Sequence, residues 1–366
     1  MKRTTAKRNG AAKPCYDVIH FEALGAEARC LERETAKAIK RQALPSDHKC
    51  LITPASVQEY LKDQPCSVFP EIITTKTHSV LPTAYLVGCR KSIITRSAGY
   101  DHFEKFAKRA NITSLREYCV NAVAQTTMKF LFAAAGQLNH YVSKTETFER
   151  KACAKFMELG KNRTLTVFGV GKIGRRIYEL AMANGLNVQG VDLRASELSH
   201  LYNDEVRFVS REEALRTSDV IINAMNLTRN RKSCFFNVGY FSREYLLKAK
   251  KGLIFINVTR GEIAPETVLL EGYRSGVIAG IGLDVFSREA EFANLLKGAK
   301  FTTADLVAGR TLVSMSLQRT GNIYVQPHQG FYSDVAVKAK AVETIRHLVA
   351  WHKNNRQHFD VQLPYY

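Results

Sequence analysis

Paired cysteines are missing from this sequence of 366 residues. Its eight cysteines are scattered, with no Cys-x-x-Cys and no grouping of cysteine with histidine at the spacing that zinc requires. This pattern excludes the usual zinc and dithiol motifs and is typical of free thiols in a reducing compartment. We therefore expect no metal site and no disulfide framework.

Long apolar runs are also missing. No uninterrupted apolar stretch approaches the roughly 18 residues of a membrane helix, and the basic start of the chain lacks the apolar core of a secretion signal. We expect a cytoplasmic protein without a membrane partner, in which residues 1–13 form a basic N-terminal tail. Because these thirteen residues contain no acid, an organelle transit peptide is the alternative.

Positive charge, in contrast, is abundant. Lysine and arginine number 53 against 34 aspartates and glutamates, which gives a net charge of +19 and a pI of about 9.6. Such a surface attracts anions. The basic residues are spread along the chain without a zinc finger or RNA-binding signature, so we predict no specific nucleic-acid partner. The length and the 45% hydrophobic content predict two domains.

A glycine-rich turn follows an apolar run at residues 166–168 and precedes a helical pattern. Its spacing is Gly169-x-Gly171-x-x-Gly174. In a strand-turn-helix unit these glycines allow a sharp turn, close approach of a pyrophosphate and tight packing of the helix. The helix N-terminus then stabilises the phosphate charge. The alternative is a glycine-rich turn in another α/β protein.

An acidic residue follows the glycines at the distance that a dinucleotide site requires. A second strand-like run, at 188–193, carries Asp192, where a carboxylate can accept hydrogen bonds from the adenosine ribose and repel a 2′-phosphate. This favours NAD over NADP. Arg194 weakens the preference, because a nearby arginine can accommodate the extra phosphate.

Apolar runs and helical patterns alternate along the chain, which predicts an α/β fold with doubly wound parallel sheets. Residues 15–115 suggest a small parallel α/β unit, residues 116–327 a larger one, and residues 333–353 a single helix. Other helical patterns cover 118–139, 242–250 and 266–275. Further strand-like runs lie at 16–19, 85–87, 92–95, 220–222, 253–257, 278–285 and 323–325.

Polar side chains follow three of these runs, at the strand ends where α/β sheets bind ligands. Arg260, Glu289 and His328 are suited to reducing a 2-keto acid. Histidine can protonate the forming alkoxide, a carboxylate can orient it, and arginine can grip the substrate carboxylate. Taken singly, each residue has a structural alternative: a packed histidine, an ion pair or a solvated charged turn.

The same residues resemble a known family. Over about residues 96–336, the chain resembles the D-isomer-specific 2-hydroxyacid dehydrogenases, particularly their D-lactate dehydrogenase branch. The segments 257–261, 282–286 and 327–333 match its active-site motifs. The resemblance implies that Arg260, Glu289 and His328 are catalytic, with His328 as the proton donor, and that Asp284 lies near the nicotinamide carboxamide.

The resemblance also implies the ligand contacts. Ala98 and Gly99 match a loop whose amides bind the substrate carboxylate, Tyr118 faces the substrate, and Phe331 closes the pocket over a short apolar tail. Arg260 also contacts the substrate. The residues implied for NAD are Gly169, Gly171, Lys172, Ile173, Gly174, Asp192, Met225, Asn226, Val258, Thr259 and Asp284.

The family fold implies a split catalytic domain, residues 14–115 plus 329–366, with a Rossmann NAD-binding domain inserted at 116–328. It also implies a homodimer and a small anionic 2-keto or 2-hydroxy acid substrate. Reduction of pyruvate to D-lactate is the leading hypothesis. The alternatives are a bulkier 2-keto acid and a non-enzymatic, NAD-sensing scaffold of the C-terminal binding protein type. Val120, Gln125 and Asn226 depart from the family pattern.

Overall fold

The chain divides into two compact units in a computed structural model that describes residues 16–62, 69–87, 90–151, 153–300 and 303–365. Unit 1 contains the described residues up to Cys119 and those from Asp334 onward, and unit 2 is Val120–Ser333. The divisions fall four residues after the predicted boundary at 115 and five after that at 328. The predicted tail, residues 1–13, lies outside the described residues.

Unit 1 contains a five-stranded parallel sheet in the order β2-β1-β3-β4-β5. The strand order reverses between β1 and β3, which makes this the topological switch point of the sheet. The strands are β1 Val18–His20, β2 Cys50–Ile52, β3 Ile72–Thr75, β4 Lys91–Thr95 and β5 Ala110–Ser114. The helices are α1 Gly25–Lys40, α2 Val57–Tyr60 and, from the end of the chain, α12 Asp334–Lys353, which packs against α1.

One predicted strand of unit 1 is wrong. The apolar run at 85–87 lies in and after a 3₁₀ helix, Thr83–Leu86, that begins directly after Pro82. Tyr85 is buried and its hydroxyl donates to the carbonyl of Pro70 at 3.2 Å. Of the run, Tyr85 packs into the core, Leu86 is partly buried and Val87 is exposed. A run of three residues has no periodicity that distinguishes this turn from a strand.

Unit 2 contains a six-stranded parallel sheet in the order β11-β10-β9-β8-β6-β7, whose switch point lies between β6 and β8. Most of its strand residues are buried, as in a sheet covered by helices on both faces. The strands are β6 Thr164–Phe168, β7 Asn187–Val191, β8 Val220–Asn223, β9 Leu253–Asn257, β10 Ile278–Leu283 and β11 Ile323–Val325.

Nine α-helices are described in unit 2. Two of them, α10 and α11, lie between Glu289 and His328, a segment for which the sequence pattern predicted no element. The predicted helix at 118–139 is divided at Gln137, which is left-handed with φ of 48°, and that at 242–250 is reduced to four residues. The helices are α3 Val120–Ala135, α4 Leu138–Lys144, α5 Lys172–Ala183, α6 Ala195–Leu201, α7 Arg211–Thr217, α8 Arg243–Leu246, α9 Glu266–Arg274, α10 Glu289–Leu296 and α11 Ala304–Leu317.

The predicted fold class, with two doubly wound parallel α/β domains, is confirmed by these topologies. In the described ranges, no helix combines the length and apolarity needed to cross a bilayer. The described cysteines, all free thiols, are Cys30, Cys50, Cys119, Cys153 and Cys234, whereas Cys15, Cys66 and Cys89 lie outside the described residues.

Candidate active site

The glycine-rich turn joins β6 to α5 in unit 2. Gly169 has φ of +85°, and a Cβ there would lie 2.7 Å from the backbone of Met225. A Cβ at Gly174 would lie 1.9 Å from the carbonyl oxygen of Gly169. At Gly171, the N-cap of α5, a Cβ would meet nothing within 4 Å. Gly169 and Gly174 are therefore required by the close packing of the protein backbone. At Gly171, in contrast, there is open space in front of the N-terminus of α5.

Asp192 fastens this turn to the end of β7. One carboxylate oxygen accepts the amide of Val170 and the other accepts the amide of Arg194, each at 2.9 Å. The Arg194 guanidinium lies 3.9 Å from Asp192 and 3.7 Å from Glu197. Arg194 thus lies between two carboxylates.

A buried asparagine, which the sequence-based prediction missed, joins the ends of β8 and β9. The amide nitrogen of Asn223 donates to Asn257 Oδ1 at 3.0 Å and to Thr259 Oγ1 at 2.9 Å. The same Asn223 accepts the amide of Met225 at 3.2 Å. A polar residue that ends an apolar run was the available signal. Asn226, which departs from the family pattern, has its carbonyl held by Asn237 at 2.8 Å.

Arg260 lies in the loop after β9. Asn257 donates to its carbonyl at 2.9 Å, and its guanidinium donates to the carbonyl of Thr259 at 2.9 Å. The next residue, Gly261, is so close to the loop after β10 that a Cβ would lie 2.0 Å from the amide nitrogen of Ser287. The Arg260 loop is thereby packed against the loop that leads to Glu289.

Asp284, at the end of β10, holds the histidine loop. One carboxylate oxygen accepts Gln326 Nε2 at 2.7 Å and the amide of Gln329 at 2.8 Å, and the other accepts the amide of Gly330 at 2.9 Å. The Asp284 carbonyl accepts the amide of His328 at 2.7 Å. Burial raises the pKa of the Asp284 carboxyl, against the effect of these hydrogen bonds. Asp284 therefore fixes the loop, a role absent from the sequence-based assignment.

His328 and Glu289 meet although 39 residues separate them. Nδ1 of the ring lies 2.8 Å from Glu289 Oε2. His328 has φ of 51°, an uncommon backbone conformation for a residue other than glycine. Glu289 is the first residue of α10, directly after Arg288, which is left-handed as well. Phe331 packs edge-on to the imidazole with ring centroids 6.2 Å apart.

The remaining residues predicted for the cofactor lie in these same loops or, for Lys172 and Ile173, in the first turn of α5. Val258 is buried and Lys172 is exposed. The partly buried ones are Ile173, Met225, Asn226 and Thr259. All the loops follow the carboxyl ends of strands on either side of the β6/β8 switch point, where open α/β sheets bind nucleotides.

The three other residues predicted to bind substrate belong to unit 1. Ala98 and Gly99 follow β4 and are partly buried, and the carbonyl of Gly99 accepts the Ser97 hydroxyl at 2.6 Å. Tyr118 follows β5, with its amide donating to Glu343 at 2.8 Å. Its side chain is buried, and this burial raises the pKa of the phenol well above 10.

The residues of unit 2 fit a dinucleotide. The open side of Gly171 leaves space for a pyrophosphate, α5 supplies exposed amides, and the Asp192 carboxylate lies one strand away. The loops after β9, β10 and β11 lie along the same edge of the sheet. There the His328–Glu289 pair can exchange a proton with a bound ligand, and Arg260 can bind an anion.

Comparisons with known proteins agree with this geometry. Residues 128–330 match the family model described as D-isomer specific 2-hydroxyacid dehydrogenase, NAD binding domain. Over 262 residues the chain is 26% identical to the aromatic 2-oxoacid reductase of Clostridium sporogenes, covering 70% of this chain and 74% of that protein. The D-lactate dehydrogenase of Staphylococcus epidermidis is also 26% identical, over 68% of this chain and 72% of its own.

Solved structures show the same fold. The D-lactate dehydrogenase of Aquifex aeolicus, complexed with NAD and lactic acid, superposes with a TM-score of 0.72 at 21% identity, covering 94% of this chain and 98% of that one. The family model alone spans more than half of the sequence. The chain therefore belongs to the D-isomer-specific 2-hydroxyacid dehydrogenases, a family of NAD-dependent oxidoreductases.

Proposed function

We propose that this protein reduces a short 2-keto acid to the D-2-hydroxy acid, with Arg260, Glu289 and His328 as the catalytic residues. The observation that carries the proposal is the 2.8 Å contact between His328 Nδ1 and Glu289. When NADH is bound, it supplies the hydride that forms the new C–H bond at C2. The oxygen at C2 takes up one proton, so the products are the hydroxy acid and NAD.

His328 is the source of that proton. A carboxylate only accepts hydrogen bonds, so Nδ1 carries the proton shared with Glu289, and Nε2 is the nitrogen that donates to the substrate. Glu289 fixes the orientation of the ring and stabilises its positive charge. The hydrogen bonds from the Asp284 backbone and side chain keep the histidine loop in this conformation.

Arg260 binds the substrate carboxylate and polarises the keto oxygen. Its guanidinium is always charged and presents several donors in one plane, which matches a carboxylate next to a carbonyl group. From the family resemblance, Ala98, Gly99 and Tyr118 of unit 1 are our further candidates for substrate binding. Asp192 would accept hydrogen bonds from the adenosine ribose, which favours NADH over NADPH.

Pyruvate is our first candidate substrate, because Phe331 packs beside the catalytic imidazole and suits a small apolar group. A D-lactate dehydrogenase is among the relatives at 26% identity. An aromatic 2-keto acid is the second candidate, because the aromatic 2-oxoacid reductase of Clostridium sporogenes is equally similar.

The test is an assay of the purified protein with NADH or NADPH and a panel of 2-keto acids, with chiral analysis of the product. We expect turnover with NADH and a D-configured product. If NADH binds but none of the keto acids is reduced, the proposed reaction is wrong and a scaffold that senses NAD becomes the better explanation.

A further inference from the structure

A buried carboxylate links the two loops of unit 2 that carry Arg260 and Glu289. Glu266 is the first residue of α9, and only 2% of it is exposed. Its Oε1 accepts the backbone amide of Ser287 at 2.6 Å. Glu266 follows Arg260 by six residues, and Ser287 is two residues before Glu289. One hydrogen bond therefore joins a segment close to the arginine to a segment close to the glutamate.

The segment that leads from Arg260 to Glu266 is held by its own hydrogen bonds. The carbonyl of Arg260 accepts the amide of Ile263 at 3.4 Å, and the carbonyl of Gly261 accepts the amide of Ala264 at 2.9 Å. Ile263 and Ala264 are both buried. A shift of Glu266 would therefore move the Arg260 loop with it.

The segment that leads from Ser287 to Glu289 contains a strained residue. Arg288 is left-handed with φ of 52°, a conformation that persists in residues other than glycine only where the surrounding contacts enforce it. On the helix side, the carbonyl of Arg288 accepts the amide of Phe292 at 3.0 Å. On the other side, the Ser287 amide is bound by Glu266. The strained residue thus lies between two hydrogen-bonded positions, and Glu266 supplies one of them.

The burial of this carboxyl group is unfavourable. Burial raises the pKa of Glu266 to about 7, although hydrogen bonds from Ser287 lower it, and the negative charge of Asp305 raises it further. Asp305 is fixed nearby because it accepts the Thr267 hydroxyl at 2.7 Å. An apolar side chain of similar volume would fill the same space without the cost of burying a charge. What the carboxyl group adds at this position is the hydrogen bond to the loop of Glu289.

We propose that Glu266 is a positioning residue for the reduction. Through the Ser287 amide it keeps Glu289 in the place from which this carboxylate contacts His328. It also keeps the Arg260 loop packed against the Glu289 loop. The inference rests on the proposed function and adds to it a residue that acts through other residues. Because reaction rates depend steeply on orientation, a displacement of about 1 Å in these loops can lower the rate by about 100-fold.

Two substitutions of Glu266 separate the hydrogen bond from the charge. Glu266→Leu removes the acceptor, whereas Glu266→Gln keeps an acceptor oxygen and removes only the charge. With pyruvate, or the fastest keto acid of the panel, kcat of Glu266→Leu should fall by about 10-fold to 100-fold, and KM for the keto acid should rise as Arg260 shifts. Glu266→Gln should keep most of the rate, and NADH should bind both variants normally. An unchanged kcat in Glu266→Leu, or an equal loss in both variants, would overturn the inference.

Val268→Ala is the matched control for a loss of stability. Val268 lies in the same helix and is buried in the core, so its truncation destabilises the unit without removing the bond to Ser287. At temperatures well below unfolding, kcat of Val268→Ala should be unchanged. If Val268→Ala loses as much kcat as Glu266→Leu at an equal loss in the free energy of unfolding, the role of Glu266 is structural and the inference is wrong.

Hydrogen exchange measures the same bond without catalysis. In the unmodified protein the Ser287 amide should be protected from exchange, and fast exchange there would overturn the inference without any variant. In Glu266→Leu the amides of residues 287–289 should exchange faster, while Glu266→Gln should retain the protection. If the unmodified protein reduces no keto acid, the proposed function is wrong. Slow exchange at Ser287 in Glu266→Leu would instead contradict the role assigned to Glu266.

Discussion

Both sheets bury charged groups at the edge where their parallel strands end, but the described part of unit 2 buries carboxyl groups, whereas unit 1 buries cations together with the carboxylates of Glu22 and Glu343. Unit 2 buries carboxyl groups, and burial raises the pKa of Asp284 and brings that of Glu266 to about 7. Unit 1 buries Arg96 and Lys340, and burial lowers the pKa of Lys340 to about 8. Similar α/β architecture thus supports two different electrostatic environments.

The two units differ in the partners that form hydrogen bonds or ion pairs with their buried charged groups. Asp284 is surrounded by donors from its own unit, so this part of unit 2 is complete within the protein and serves to hold the His328 loop. In unit 1, the Glu27 carboxylate accepts Arg96 Nε at 2.9 Å and lies 2.6 Å from Lys76 Nζ. Unit 2 thus holds its buried carboxylate with neutral donors, while unit 1 pairs a carboxylate directly with cationic side chains.

The largest effect is expected for His328→Ala, which removes the proton donor from unit 2. The value of kcat should fall by about 100-fold to 10,000-fold, the usual contribution of general acid catalysis. NADH binding, measured by fluorescence, should be unchanged. His78→Ala is the control, because His78 is an exposed histidine of unit 1. Near-normal turnover in His328→Ala would mean that unit 2 does not supply the proton.

Two glycines of unit 2 should respond in opposite ways. Gly261→Ala brings a Cβ to 2.0 Å from the amide nitrogen of Ser287, so the free energy of unfolding should fall by about 1 to 3 kcal/mol and the rate should fall with it. Gly171→Ala meets open space, so stability should be kept while NADH binds more weakly. Urea unfolding and NADH titration measure the two effects. Equal stability losses would contradict the assigned difference.

Glu266→Gln tests the buried carboxyls of unit 2. The folded pKa of Glu266, about 7, exceeds its ordinary value of 4.5, so the stability contributed by the protonated form is complete below pH 4.5 and is lost as the pH rises through 7. Glutamine should therefore stabilise the protein at pH 8 by about 1 to 3 kcal/mol and have little effect near pH 4.5. Thermal or urea unfolding at both pH values measures this.

The control for that prediction is Glu271→Gln. Glu271 lies in the same helix but is exposed and paired with Arg243, which lowers its pKa. The Glu271→Gln variant should therefore show no gain in the free energy of unfolding at pH 8. A gain of equal size in both variants would show that net charge, rather than burial of Glu266, is the cause.

Contiguous motifs were the part of the fold that the sequence predicted best. The turn from Gly169 to Gly174 and the strands Leu253–Asn257 and Ile323–Val325 are local patterns, and both strands have the predicted bounds. The 3₁₀ helix at Thr83–Leu86 was missed because three apolar residues carry no period.

Contacts between distant residues could not be predicted from local patterns. The family resemblance assigned roles to Glu289 and His328, but their direct contact depends on how α10 begins after a left-handed Arg288. The contacts of Glu27 with Arg96 and Lys76 had no sequence signal, since the three residues follow three separate strands. The clamp that Asp284 forms on the histidine loop likewise depends on tertiary folding.

The division of unit 1 along the chain has a consequence for biosynthesis. Residues that follow unit 2 in the chain complete the packing of its sheet. Trp351 Nε1 donates to Ser92 Oγ at 2.8 Å, and the amide of Leu363 donates to the carbonyl of Ile112 at 2.8 Å. Unit 2 is continuous and can fold as soon as it leaves the ribosome. Unit 1 must wait with an unfinished core until the helix that carries Lys340 has been translated, so this half is the one that nascent-chain chaperones would protect.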